Sequence, residues 1–170
     1  MSTTSTFNVE ASLNYWFQTQ VAAQSLPAWL TSVPVVFDMQ EVTISLPCLS
    51  VVHIGVASRD IWQGRHVDGG TTKGLSSAGL MQVDAWATRR NVDWYMQMMS
   101  LDGLVRDIFV NTANVVISNW AAIGYAGGTA TALTFKIDLS DIEYLATAPD
   151  PNPDIERRRF LVRYDWTQRG

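Results

Sequence analysis

The chain has 170 residues, of which 47% are hydrophobic, 11% aromatic and only 16% charged, with a formal net charge of −4 at pH 7. That length suits one domain, residues 1–170, which buries roughly 70% of its unfolded surface without disulfide or metal staples. The charge fraction lies well under the ~25% of an average soluble domain, so much of the surface is expected to be covered by partner subunits.

The acidic balance argues against a whole-chain attraction to nucleic acid, which needs a basic footprint. The single cysteine, Cys48, excludes an intrachain disulfide and a cysteine-based metal cluster. Met1 to Thr6 is a polar Ser/Thr run without the basic start and apolar stretch of a signal peptide. No window approaches the ~18 apolar residues of a membrane span, so a soluble protein made and used in a cytoplasm, with no membrane partner, is expected.

Residues 1–7 read as a flexible tail, after which Asn8 can cap a helix over Val9 to Gln24 with Val9, Leu13, Trp16 and Phe17 on one side. Pro27 stops it and suits the first turn of a short second helix through Trp29 and Leu30, which Pro34 ends. Val35 to Ile44 and Leu49 to Val56 read as strands broken by Pro47. Residues 57–79 place Arg59, Arg65, His66, Asp68 and Lys73 among five glycines, which predicts a long loop. Leu80 to Thr88 returns to strand.

Asn91 or Asp93 then caps a helix whose Trp94, Met98, Leu101, Val105 and Ile108 recur at helical spacing, a stripe that should cover a sheet. Gly103 within it costs roughly 1 kcal/mol relative to alanine and marks a close crossing or a weakened turn. Val115 to Trp120 is a short strand, Gly124 to Thr129 a turn, and Leu133 to Leu139 alternates, with the pattern resuming from Ile142 to Ala146. Residues 149–154, rich in proline, read as a hairpin tip, and the return strand Arg159 to Trp166 puts Phe160, Val162, Tyr164 and Trp166 on one face. The order predicts an α+β fold: a mixed, largely antiparallel sheet flanked by an N-terminal helix and a central amphipathic helix, with a long C-terminal hairpin.

Catalytic constellations are weak. In Gly69-Gly70-Thr71-Thr72-Lys73-Gly74 the lysine precedes the last glycine, whereas a phosphate-binding loop needs Lys and Ser/Thr after it. His53 and His66 have no metal spacing, and Cys48 and His53 fall on opposite faces of one strand, which disfavours a dyad. Ser76 and Ser77 lack the glycines of a nucleophile elbow. The carboxylates Asp102/Asp107, Asp138/Asp141 and Asp150/Asp154 read as caps and solvated faces. No catalytic, cofactor-binding or metal-binding residue is therefore assigned, no cofactor is expected, and the chain is read as a non-enzyme.

The clearest charge feature is Arg157-Arg158-Arg159 with Arg163, and strand alternation puts Arg157, Arg159 and Arg163 on one face. With ten Arg against two Lys, the basic groups are of the planar type used at interfaces. Arg157, Arg159 and Arg163, with Arg59, Arg65 and Asp68 of the long loop, are the candidate subunit-interface residues, pairing with carboxylates of a neighbour. The alternative for the arginines is a solvated edge that discourages aggregation.

The N-terminal helix, the proline-broken strand pair, the Gly-bearing loop, Met81-Gln82-Val83-Asp84-Ala85-Trp86-Ala87 running into an amphipathic helix, and the late hairpin together resemble tail-terminator proteins of tailed bacteriophages. The likeness spans residues 9–166 and rests on order and texture, so no functional residue is carried across. It implies a homohexameric ring seated on the last ring of the tail-tube protein. Such a ring ends tube growth and presents the face to which a head-tail connector or neck protein docks. It also implies a virion location after assembly in the host cytoplasm, and a lumen that passes DNA without sequence-specific binding. Another connector, neck or tube protein is the nearest alternative. A different class is a small-ligand-binding or hydrolytic α+β domain with residues 59–79 as a lid lined by His66 and Asp68. Direct DNA contact through Arg157 to Arg163 is a third.

Overall fold

The computed structural model describes residues 9–37, 45–54, 75–111, 114–117, 133–145 and 152–168. The expected tail 1–7, most of the 57–79 segment and the glycine-rich turn at 124–129 lie outside them.

Helix α1, Val9–Ala23, forms where the helical spacing placed it, and Leu13, Trp16, Phe17 and Val21 turn into the core. The short second helix does not form. Pro27 and Pro34 leave room for a single turn, closed by Leu30 N–H donating to the Pro27 carbonyl at 2.9 Å, with Leu30 buried and Trp29 exposed. Strand β1, Val35–Phe37, pairs parallel to β2, Cys48–Ile54, with a cis Leu46–Pro47 peptide just before β2.

Strand β3 runs Leu75–Thr88, so the last five residues of the expected 57–79 loop are strand instead. Pairing with the long β6, Ile155–Gln168, overrides the loop-like Ser and Gly composition there. Between β3 and β6 stand helix α2, Trp94–Val110, and strands β4, Asn114–Ile117, and β5, Leu133–Leu145. The broken alternation in β5 corresponds to a register irregularity between Asp138 and Glu143 in its pairing with β6. Just before β6 an Asx turn forms, in which Asp154 N–H donates to Asn152 Oδ1 at 3.0 Å.

The six strands form one sheet in the order β1-β2-β3-β6-β5-β4, parallel only at β1–β2. The fold is α+β with a mixed, largely antiparallel sheet. Alternation divides the sheet's faces: Leu49 and Val51, then Met81, Val83, Ala85 and Ala87, then Phe160, Val162 and Tyr164 share the face that α1 and α2 cover, in one buried cluster. Phe109 of α2 joins the two helices, stacked on Phe17 of α1 at 5.6 Å and tilted against Trp16 at 6.0 Å.

Of the stripe expected on α2, Met98, Leu101, Val105 and Ile108 are buried, joined by Gln97, Leu104 and Phe109, while Trp94 is half-buried. Asp93 occupies the N-cap position without a side-chain capping bond. Among the described residues no other element crosses closely at Gly103, where an added Cβ would meet nothing within 4 Å outside its own helix. Among the described residues no helix is long and apolar enough to cross a membrane.

Candidate functional site

The face of the sheet opposite the helices carries a buried polar network. Gln82, Asp84 and Trp86 point there from β3, Cys48 and Ser50 from β2, and Arg157, Arg159, Leu161 and Arg163 from β6, since each alternates with a core residue. Asp84 is 2% exposed, and burying an unpaired carboxylate would be prohibitive. Three donors meet it. Arg157 Nη2 lies 2.5 Å and Gln82 Nε2 2.6 Å from Oδ2, and Arg159 Nε lies 3.0 Å from Oδ1. Arg159 stands directly opposite Asp84 in the register, and Arg157 is its diagonal neighbour. Burial pushes the Asp84 carboxyl above its usual range, while the hydrogen bonds from Gln82 and Arg159 and the Arg159 charge pull it back.

The network continues sideways. The Arg157 guanidinium sits 4.5 Å from the centre of the Trp86 ring, and Trp86 Nε1 donates to Ser50 Oγ at 2.8 Å. Both Asp84 oxygens are held by donors, a geometry that fixes the carboxylate rather than presenting it as a base. What the face offers outward is the remaining edge of two guanidinium groups, 26% and 28% exposed.

Two of the expected interface residues, Arg157 and Arg159, therefore come together, but on a carboxylate of their own chain. Asp84 was the missing partner: the pairing depends on strand register, which residue spacing alone does not provide. The signal for it was a lone acid in the apolar run Met81 to Ala87. Arg163 is exposed on the same face, opposite Leu80 of β3 and Asp138 of β5 in the register. Arg59, Arg65 and Asp68, and with them His66, lie outside the described residues.

His53 is satisfied rather than poised. Its Nε2 lies 2.7 Å from Asn14 Oδ1 of α1, and its Nδ1 3.4 Å from the Tyr164 hydroxyl. Cys48 is fully buried on the other face, and burial pushes its thiol from 9.0 up to about 11. Asp102 pairs with Arg106 one helical turn on, at 2.9 Å. Among the described residues no group of His, Cys, Asp or Glu is arranged to hold a metal ion.

A second feature lies on α2. Opposite its core face, Tyr95 (55% exposed), Met96 and Met99 lie together on the outside, and Val92 (91%) is exposed in the turn just before the helix. Trp29 stands exposed beside them, its Nε1 donating to Ser100 Oγ at 2.9 Å. The first half of α2 is thus apolar on both faces, which is the pattern of a helix covered on both.

No protein-family model matches the sequence, and no curated protein matches it.

Proposed function

We propose that the chain is a non-enzymatic structural subunit of a tailed-phage virion: a tail terminator that closes into a homohexameric ring on the tail tube and receives the head-tail connector. The observation that carries this reading is a mismatch of length. Strands β3 and β6, paired over their whole 14 residues, extend roughly 46 Å at strand rise, whereas α2 with 17 residues and α1 with 15 extend roughly 25 Å and 22 Å. A ribbon that outruns either covering helix is a shape suited to neighbours rather than to an enclosed reaction site. The charge-poor, aromatic-rich composition and the apolar outer stripe of α2 point the same way.

In this reading the Asp84 network stiffens the centre of the ribbon. The segments 59–74 and 149–151 face the tube and connector proteins, and DNA passes through the lumen without being held. Electron microscopy of the purified protein, with the mass of the assembly, tests it. Closed rings that co-purify with tail tubes are expected; a strictly monomeric protein absent from virions would refute it.

One observation favours the rival of another class. A cleft of about 320 Å³ lies between the C-terminal turns of α1 and residues 32–35, lined by Gln18, Val21, Leu26, Val33 and Pro34 among others. Its lining is apolar with amides, a chemistry for a small neutral ligand. Thermal-shift screening against metabolites and nucleotides separates the two readings, because a ligand that binds the folded state raises the melting temperature.

A further inference from the structure

We propose that Met99 is an oxidative modification site: hydrogen peroxide converts its thioether to a sulfoxide, which Arg158 binds, tightening helix α2 on strand β6. The inference stands on these side chains alone, so it holds or fails whatever the chain assembles into.

Of the three consecutive arginines, Arg158 is the one outside the Asp84 network. It alternates with Arg157 and Arg159 and so leaves β6 on the helix-covered face, in step with Phe160 and Val162. There it meets α2. Its Nη1 lies 3.6 Å from Met99 Sδ, a thioether sulfur that accepts only weakly. The same Nη1 lies 3.8 Å from Asp102 Oδ1, a buried oxygen at ion-pair distance but beyond a normal hydrogen bond. Asp102 is held through its other oxygen by Arg106, at 2.9 Å. Met99 and Asp102 stand three residues apart and are neighbours on the helix surface, so one planar guanidinium faces both. At this point the tie between α2 and β6 is slack, because a strong donor faces a poor acceptor.

Oxidation removes that mismatch. A sulfur lone pair attacks one peroxide oxygen, the sulfur–oxygen bond forms and the O–O bond breaks. The departing hydroxide takes the proton left on the transferred oxygen and becomes water, so the thioether is oxidised by two electrons and the peroxide reduced by two. The guanidinium charge beside the sulfur favours departure of that hydroxide. The sulfoxide oxygen is a strong acceptor, and its bond to Arg158 is charge-assisted. Bent onto Nη1 at an ordinary N···O distance of about 2.9 Å, it leaves sulfur and nitrogen close to their present spacing, so neither element has to move. Access narrows the choice of methionine: Met81 and Met98 are fully buried, whereas Met96 and Met99 are 45% and 43% exposed. Met96 thus matches Met99 in exposure and serves as its internal reference; the arginine contact is what sets Met99 apart.

The test treats the full chain with limiting hydrogen peroxide and follows each methionine by peptide mass mapping, then records the melting temperature of the oxidised protein. Met99 should gain its oxygen several-fold faster than Met96. Oxidation should also raise the melting temperature by roughly 2–4 °C, the shift about one charge-assisted hydrogen bond gives in a chain of this size. That shift is measured against Met99→Leu treated in parallel, which subtracts oxidation elsewhere. Arg158→Gln should abolish both the rate advantage and the rise. The proposal is overturned if Met99 oxidises no faster than Met96, if the melting temperature fails to rise, or if either effect survives in Arg158→Gln.

Discussion

Replacing Gly79 with alanine would put a methyl group where a buried ring already lies. A Cβ at this position of β3 would fall 2.3 Å from Cζ, 2.4 Å from the hydroxyl and 2.8 Å from Cε2 of Tyr164, its partner in the β6 register. Carbon atoms in ordinary contact keep roughly 3.5–4.0 Å, so the ring must retreat by more than 1 Å. It has little freedom to do so. Tyr164 is 2% exposed, packs edge-on against His53 at 6.1 Å, and its hydroxyl donates toward His53 Nδ1, whose ring in turn reaches Asn14 of α1. Overpacking typically costs about 1–3 kcal/mol and a lost hydrogen bond about 1 kcal/mol, against a gain of about 0.5–1 kcal/mol from leaving glycine in a strand. The net expectation is a loss of about 1–3 kcal/mol, read as a melting temperature lower by roughly 2–4 °C per kcal/mol. Tyr164→Leu in the Gly79→Ala background should recover part of that loss, so the two changes should couple in a double-mutant cycle. A Gly79→Ala protein as stable as its parent, or strictly additive effects, would refute the reasoning.

Three further outcomes are expected. Asp84→Ala leaves Arg157 and Arg159 without their carboxylate in a buried network and should cost about 3–5 kcal/mol in urea unfolding, with Asp84→Asn costing less because Gln82 and the guanidinium groups keep a polar neighbour. Phe109→Ala removes the ring that packs α2 on Phe17 and Trp16 of α1 and should cost about 3–5 kcal/mol, with a loss of near-ultraviolet circular dichroism. For Cys48 the folded thiol ionises at about 11 against 9.0 in the unfolded chain, so the folded state holds the proton longer. Its contribution is intact below pH 9.0 and is lost as pH rises to about 11. The stability advantage of the parent over Cys48→Ala should therefore shrink by about 2–3 kcal/mol across that window, as urea titrations at successive pH values will measure.

Periodic features were legible in the sequence. The steps Met98, Leu101, Val105, Ile108 fixed the inner face of α2, and alternation through Phe160, Val162 and Tyr164 fixed the inner face of β6, because burial acts on each residue at a fixed period. Interrupted alternation after Leu139 likewise announced the irregularity in β5. What failed depended on contacts distant along the chain. Ser76, Ser77 and Gly79 have loop-like composition, yet fourteen consecutive partners on β6 draw them into β3. Gly79 is there because Tyr164, far off in sequence, lies across it. The helix expected after Pro27 was too short to outlast its one turn. The outer stripe of α2 was masked by the inner one, since one helical repeat defines one apolar face and Tyr95, Met96 and Met99 fall on the opposite side.

The arginines illustrate the same limit with a functional consequence. Spacing correctly put Arg157 and Arg159 on one face, and their planar, multidentate groups suggested carboxylates to match. It could not say whose. Antiparallel pairing sets Asp84 between them, and its burial makes that arrangement close to obligatory, since one carboxylate at 2% exposure needs full coordination by donors. Once clamped, the two guanidinium groups meet any neighbour as fixed, partly neutralised planes, one of them already stacked on Trp86. Such planes suit carbonyl groups and aromatic faces of a protein partner better than a phosphate backbone, whose binding draws on mobile, unneutralised charge. The intrachain pairing thus weakens the case for DNA contact through this strand while leaving it available to a subunit interface.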